Sequence, residues 1–231
     1  MKTELWKKPK GVTIITGFPG MGLVGTITTE FLIEHLSAEL IGKIRVEEVP
    51  PVIAIHQGKV VEPLGIFYNK KYNLIILHAL TSVAGIEWKL GDEICKIIND
   101  LNAKEIISLE GIGSSSLESP KVYYYSNKKD GLKKLGVLNL NEGIIIGVTG
   151  SLLLKGCTNH ICFFAETHST MPDSKAAAKI IEVLDRHLGL KVDYKPLMEK
   201  AVKFEGKIKE LLEKREKASK FKERKELTYL G

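Results

Sequence analysis

Residues 17–25 read GFPGMGLVG, and we expect this stretch to organise the fold. Directly before it, residues 12–16 form a short apolar run that predicts a buried β-strand. From residue 22 to residue 36, apolar side chains recur at helical spacing, which predicts an α-helix. The glycine-rich stretch is therefore the turn between a strand and a helix, the first unit of an α/β fold.

Within this stretch, Gly20, Gly22 and Gly25 match the G-x-G-x-x-G pattern of dinucleotide-binding turns. In such turns, backbone N–H groups and a helix N-terminus hold a pyrophosphate. Pro19 and the additional Gly17 depart from that pattern, and glycine also permits tight turns and close packing of a helix on a sheet. We favour the packing interpretation. The alternative is a nucleotide- or nucleoside-binding enzyme that uses loop 17–25.

The rest of the body alternates strand and helix signals, which predicts an α/β fold of three layers around a mixed β-sheet. Turn-like residues at 57–59 and 69–71 indicate hairpins and hence an antiparallel part of the sheet. Residues 111–116 are predicted to be a loop. Further strands are predicted at 40–44, 52–57, 60–68, 73–80, 106–109, 122–125, 144–148 and 161–164, and further helices at 86–101 and 177–188, the latter opened by Pro172 and stopped by Gly189.

Composition restricts the class of protein. The 231 residues are 44% hydrophobic and 27% charged with a net charge of +6, as in globular proteins. The apolar runs are too short to span a membrane, and the charged first ten residues do not resemble a secretory signal, so we expect a cytoplasmic protein. Three cysteines, Cys95, Cys157 and Cys162, are too few for a disulfide scaffold, and we expect them to be reduced and buried.

Four groups of residues are candidates for chemical or nucleic-acid sites. His168 with Glu166 and Asp173 could form an acid/base cluster, but no nucleophile accompanies it. Cys157, His160 and Cys162 lack a second pair of ligands, so no metal site is predicted. Tyr123–Tyr125 and the mixed-charge C-terminal region fit a strand and a solvated helix better than a nucleic-acid surface. We therefore expect no catalytic residue, metal, cofactor or nucleic-acid partner.

The C-terminal region differs from the body, and we divide the chain into a body, 1–195, and an arm, 196–231. Residues 197–231 carry eleven Lys/Arg and seven Asp/Glu. Apolar residues follow the alternating spacing of a helix that buries a narrow seam against a partner helix. We expect this arm to bundle between subunits, and we expect a tetramer; packing on its own body is the other possibility. The seam comprises Leu197, Ala201, Phe204, Ile208 and Leu211.

Several segments besides 17–25 resemble segments of a known protein family. They are FLI at 31–33, PP at 50–51, EGIG at 110–113, MPD at 171–173 and AA at 176–177. Over about residues 11 to 190, the sequence resembles the archaeal proteasome assembly chaperone family, homologous to eukaryotic proteasome assembly chaperone 2. The resemblance implies a body related to phosphorylase/hydrolase-like folds, no established catalytic activity, and homo-oligomers whose C-terminal helices form a bundle. It also implies tails that engage α-subunits of the proteasome core particle.

The tail ends in Leu227, Tyr229, Leu230 and Gly231, which the resemblance implies as the partner-binding residues. Proteasome-docking tails commonly carry a penultimate tyrosine, whereas Tyr229 is third from the end here. The extra residue displaces a terminal carboxylate by roughly 3.3 Å in an extended chain. The sequence thus predicts a non-enzymatic assembly chaperone or adaptor. The alternative enzyme would use the glycine loop with Glu110, Glu166 or His168.

Overall fold

The computed structural model describes residues 1–48, 53–56, 59–114, 119–128, 132–168 and 170–193. The strands are β1 (Lys2–Leu5), β2 (Thr13–Gly17), β3 (Glu39–Arg45), β4 (Ala54–His56), β5 (Lys59–Val61), β6 (Leu64–Asn69), β7 (Leu74–Ala79), β8 (Glu105–Gly113), β9 (Val122–Ser126), β10 (Leu138–Asn139) and β11 (Asn159–Thr167). The α-helices are α1 (Val24–His35), α2 (Glu87–Leu101), α3 (Gly147–Lys155) and α4 (Ser174–Leu188). Short 3₁₀ helices cover Met21–Leu23 and Leu132–Leu135.

Nine of the described strands form one mixed sheet in the order β1-β3-β6-β7-β2-β8-β11-β9-β10. The four central strands, β7, β2, β8 and β11, run parallel to one another. The strands β6, β3 and β1 extend one side antiparallel, and β9 pairs antiparallel with β11 on the other side. The predicted mixed sheet with an antiparallel part is confirmed, and β4 with β5 forms a separate hairpin.

Helices cover both faces of the sheet, because strand side chains alternate between two cores. On β2, Ile15 packs in the core shared with α1 and α4, and Ile14 packs in the core shared with α2 and α3. Apolar residues of α4, such as Ile180 and Leu184, fill the first core, and Leu90 and Ile94 of α2 fill the second. The predicted three-layer α/β architecture is therefore confirmed.

Both ends of α4 lie close to the positions that the sequence predicts. The Asp173 side chain accepts a hydrogen bond from the Ala176 backbone N–H at 2.9 Å and caps the helix, which begins at Ser174 rather than at Pro172. Gly189 has φ +64° and ends the helix in the left-handed region that favours glycine.

Three of the element predictions were wrong. Residues 144–148 are not a strand, because the chain enters α3 at Gly147 and α3 packs on α2 instead of joining the sheet. Residues 111–113 are not loop, because β8 continues to Gly113 alongside β11. The predicted strand 60–68 is two strands, interrupted before Leu64.

The expectation that all three cysteines are reduced was also wrong. Cys95 of α2 forms a disulfide with Cys157, which follows α3, with their Cα atoms 5.7 Å apart. The two residues are 62 positions apart in sequence and meet only because α2 and α3 pack together. Cys162 is a buried free thiol, as expected.

The predicted boundary between body and arm lies outside the described residues, as do the seam and the tail. These predictions concern Leu197, Ala201, Phe204, Ile208 and Leu211 in the seam and Leu227, Tyr229, Leu230 and Gly231 in the tail. Across the described ranges, none of the helices has the length and apolar character needed to cross a membrane.

Candidate functional site

The glycine loop turns sharply between β2 and α1. Gly22 has φ +63° and Leu23 has φ +48°, so the backbone makes two left-handed steps just before α1. The Gly22 carbonyl accepts a hydrogen bond from the Asp173 backbone N–H at 2.9 Å, which joins the loop to the start of α4. The loop is therefore a fixed part of the fold.

Close packing explains the glycines of this loop. A Cβ on Gly25 would stand 2.5 Å from the Leu109 carbonyl oxygen on β8, and one on Gly22 would stand 2.6 Å from the Thr167 hydroxyl on β11. A Cβ on Gly17 would collide with Gly25 and Thr29. The start of α1 thus lies against the backbone of the central strands, as the packing interpretation predicts.

A cavity of about 630 Å³ lies beyond the carboxyl ends of β2, β7 and β8. In α/β sheets, ligand sites usually lie at this edge, where the chain departs to opposite sides of the sheet. Pro19 and Gly20 of the glycine loop lie on its wall, opposite the segment that precedes α3. Its apolar lining includes Phe18, Val83, Leu140, Ile145, Val148 and Phe164.

Glu110 is the most deeply placed ionisable group in this cavity. The Thr149 hydroxyl donates a hydrogen bond of 2.6 Å to Glu110 Oε1. Its other oxygen, Oε2, lies 3.0 Å from the place where a Cβ on Gly20 would stand, and none of the described residues donates a hydrogen bond to it. Burial raises the pKa of the Glu110 carboxyl to about 7, although the Thr149 hydrogen bond opposes that rise.

The charge of the cavity is acidic. The ionisable residues that line it within the described chain are Glu87, Glu110 and Glu142, and the described lining includes no lysine, arginine or histidine. A phosphate at the glycine loop would meet the Glu110 carboxylate beside Gly20 without a compensating cation. This geometry opposes the pyrophosphate function that the G-x-G-x-x-G pattern suggested.

A buried polar chain lies in the same layer as Glu110. Thr16 donates a hydrogen bond to the Ser108 hydroxyl at 3.0 Å, and that hydroxyl lies 2.8 Å from His160 Nε2. Burial lowers the pKa of His160 to about 4, so the ring is neutral near pH 7. All three side chains are buried, and these hydrogen bonds provide their polar groups with partners inside the core.

A model of the PAC2 family matches residues 14–212. The chain belongs to the PAC2 family. The resemblance found in the sequence is thereby confirmed.

Individual proteins are similar to this chain in sequence, in fold or in both. PbaA of Pyrococcus furiosus, an archaeal homolog of proteasome-assembly chaperone, is 30% identical, with a TM-score of 0.83 over 94% of this chain and 99% of PbaA. An uncharacterised protein of Methanocaldococcus jannaschii is 32% identical over 87% of this chain and 85% of its own length. PbaB of P. furiosus, an archaeal proteasome activator, is 21% identical with a TM-score of 0.76 over 91% of this chain and 98% of PbaB, which shows the same fold.

The structure of this PAC2 protein separates the predicted acid/base cluster. Glu166 accepts hydrogen bonds from the Tyr123 hydroxyl and the Lys121 backbone N–H, whereas Asp173 caps α4 and accepts from Thr167. His168 Nδ1 lies 3.2 Å from the Ser114 carbonyl oxygen. The three side chains therefore serve three separate structural roles.

The cysteine–histidine group is also dispersed. Cys157 is in the disulfide, His160 bonds to Ser108, and Cys162 is a buried thiol whose pKa is raised by burial and, secondarily, by the Glu110 carboxylate. No cluster of three or more metal-ligating side chains occurs within the described ranges.

The sequence indicated Glu110 but did not identify Thr149 as its hydrogen-bond partner. Thr149 follows a run that was predicted to be a strand, so nothing placed its hydroxyl against β8. The available signal was Gly147, a glycine that interrupts the apolar run, has φ +79° and is the first residue of α3.

Proposed function

We propose that this PAC2 protein is a homo-oligomeric, non-enzymatic assembly chaperone or adaptor that binds α-subunits of the proteasome core particle in the cytoplasm. The observation that carries this proposal is the similarity to PbaA over nearly the whole of both chains. Because the match extends through the body at 30% identity, it supports a shared role as well as a shared fold.

The separate positions of the residues predicted as an acid/base cluster are compatible with a non-enzymatic role. Glu166, His168 and Asp173 each bond to a different partner. The Ser108–His160 pair is buried in the core. A chaperone needs surfaces and not a reaction centre, so these arrangements fit the proposal.

The arm supplies the proposed oligomer contacts. Its seam, Leu197 to Leu211, would pack against the same seam of other subunits, because a helix this charged buries little apolar surface by itself. We propose a tetramer, from which several tails project together. Linked tails that each bind weakly raise the effective concentration of the others, so the assembly binds tightly.

The tail is the proposed docking element. Leu227, Tyr229 and Leu230 follow a long charged segment and offer apolar side chains to pockets on the α-subunits. Deleting residues 226–231 should abolish binding to α-subunits while the oligomer stays intact. Biolayer interferometry on immobilised α-subunits measures the affinity, and light scattering measures the size of the oligomer.

Two variants make the test specific. Replacing Leu227, Tyr229 and Leu230 by serine keeps the length of the tail and should also abolish binding. Leu138→Ser removes an exposed apolar residue of the body and should leave the affinity unchanged. Unchanged affinity after the deletion would overturn the tail assignment, and no binding by the intact protein would overturn the adaptor function itself.

A further inference from the structure

The cavity beyond the strand ends combines a carboxylate at its base with an apolar wall. Glu110 Oε2 has no hydrogen-bond donor among the described residues, while Thr149 holds the other oxygen in place. Phe18, Val148 and Phe164 line the same space. An accepting oxygen with an open position beside apolar side chains is the arrangement of a small-molecule site.

The chemistry of the lining narrows the class of ligand. The charged side chains that the described lining contributes are all carboxylates, so anions such as phosphates and carboxylates are repelled. A tightly bound metal ion usually needs three or more ligating side chains, and the described residues contain no such cluster. An organic cation satisfies both the carboxylate and the apolar wall.

We propose that this cavity binds a small aliphatic amine, with the ammonium group donating to Glu110 Oε2 and the alkyl chain lying against the apolar wall. The volume of about 630 Å³ lies within the usual range of small-molecule sites. An ammonium group brings three donors and a full charge, and charge-assisted hydrogen bonds are about twice as strong as neutral ones. The amine is therefore bound more tightly than a neutral molecule of the same shape.

Binding of the amine depends on pH through Glu110. The groups that face this carboxylate are the Thr149 hydroxyl from α3 and the Cys162 thiol from β11, while Glu87 at the start of α2 and Glu142 in the segment before α3 line the same cavity. The ammonium requires the ionised carboxylate, and the pKa of Glu110 in the free protein is about 7. Affinity should thus fall by up to about tenfold per pH unit below pH 7 and level off above it.

Calorimetric titration of the full-length protein with n-hexylamine, 1-hexanol and hexanoate tests the proposal. We expect hexylamine to bind about tenfold more tightly than hexanol at about pH 8, and hexanoate not to bind. Equal affinities for hexylamine and hexanol, binding of hexanoate, or no binding of any of the three would overturn the proposal.

Matched variants test whether Glu110 is the carboxylate that binds the ammonium group. Glu110→Gln keeps the shape of the side chain and the Thr149 partner, and it should abolish the preference for hexylamine over hexanol. Glu34→Gln changes an exposed carboxylate on α1 and should leave all three titrations unchanged. A Glu110→Gln variant that keeps the preference and its pH dependence would contradict the assignment, and circular dichroism verifies that the variant is folded.

The proposal of an amine site is independent of the proposed docking tail. The protein without residues 226–231 should bind hexylamine with unchanged affinity, because the described residues that line the cavity all belong to the body. Failure of either proposal therefore leaves the other standing.

Discussion

At the scale of single residues, Glu110 and His160 are two titratable side chains whose pKa values burial shifts in opposite directions. Burial holds the pKa of Glu110 at about 7, above its ordinary 4.5, and the pKa of His160 at about 4, below its ordinary 6.5. Between these values the native protein binds an extra proton at Glu110 and one proton fewer at His160 than the unfolded chain does. Stability therefore falls with rising pH because of Glu110, and rises with pH because of His160.

The variant Glu110→Gln removes only the first of these effects. We expect its free energy of unfolding, relative to the unmodified protein, to increase by roughly 3 kcal/mol as the pH rises from 4.5 to 7, and to be constant outside that window. Denaturant titrations at a series of pH values measure this difference, in which the contributions of all other groups cancel. A flat difference for Glu110→Gln would show that the carboxyl is not held in its neutral form by burial.

Gly25 is a residue of the glycine loop at which a side chain has no room. A Cβ there would meet the carbonyl oxygen of Leu109, which belongs to the backbone of β8 and cannot rotate away. Gly25→Ala should therefore lower the free energy of unfolding by about 1–3 kcal/mol, measured by denaturant titration.

Gly143→Ala is the matched control for that substitution. The nearest atoms to a Cβ at Gly143 are side-chain carbons of Leu140 at 3.5 to 3.6 Å, an ordinary contact. Its effect should stay within about 0.5 kcal/mol. Equal effects of the two substitutions would contradict close packing as the reason for Gly25.

At the scale of secondary-structure elements, the Cys95–Cys157 disulfide fixes α2 to the end of α3. A crosslink across 62 residues stabilises the fold mainly by restricting the unfolded chain. Reduction should lower the free energy of unfolding by about 2–4 kcal/mol, measured by thermal or denaturant unfolding with and without reductant.

The remaining cysteine provides the control for the disulfide. Cys162→Ala keeps the disulfide pair and should keep the full sensitivity to reductant, whereas replacing Cys95 and Cys157 by serine should remove it. If reductant lowered the stability of that double variant as much as that of the unmodified protein, the disulfide would not be the cause.

The elements also show where sequence reasoning succeeds. Strands that continue into a patterned helix, such as β2 into α1 or β11 towards α4, were predicted because apolar periodicity and caps are local signals. The run at 144–146 was mistaken for a strand because all three residues are isoleucine, yet Ile144 is 93% exposed and Ile146 is 80% exposed. Such a run has the composition of a strand, and the sequence alone does not show that it lies outside the sheet.

The same limit applies to the candidate site. Glu110 was recognised as part of a family pattern, but its cavity is built by β8, α3 and the glycine loop together. The pairing of Cys95 with Cys157 likewise depends on two helices that meet only in three dimensions. Contacts between residues far apart in sequence are the part that a single sequence does not specify.

At the scale of the whole molecule, the α/β architecture was predictable because the four central parallel strands and the helices α1, α2 and α4 each carry their own signal. The same fold and PAC2 membership connect the chain to PbaA. The proposed adaptor function adds to this body an arm that assembles subunits and tails that bind the proteasome. In this proposal the arm and the tail contribute separately, so loss of the tail should leave the oligomer unchanged.

The most direct test is native mass spectrometry of the protein mixed with proteasome α-subunits, with and without residues 226–231. We expect a complex of defined stoichiometry for the intact protein, and the same oligomer without bound α-subunits for the shortened one. An intact oligomer that ignores the α-subunits, or a shortened protein that still binds them, would contradict it.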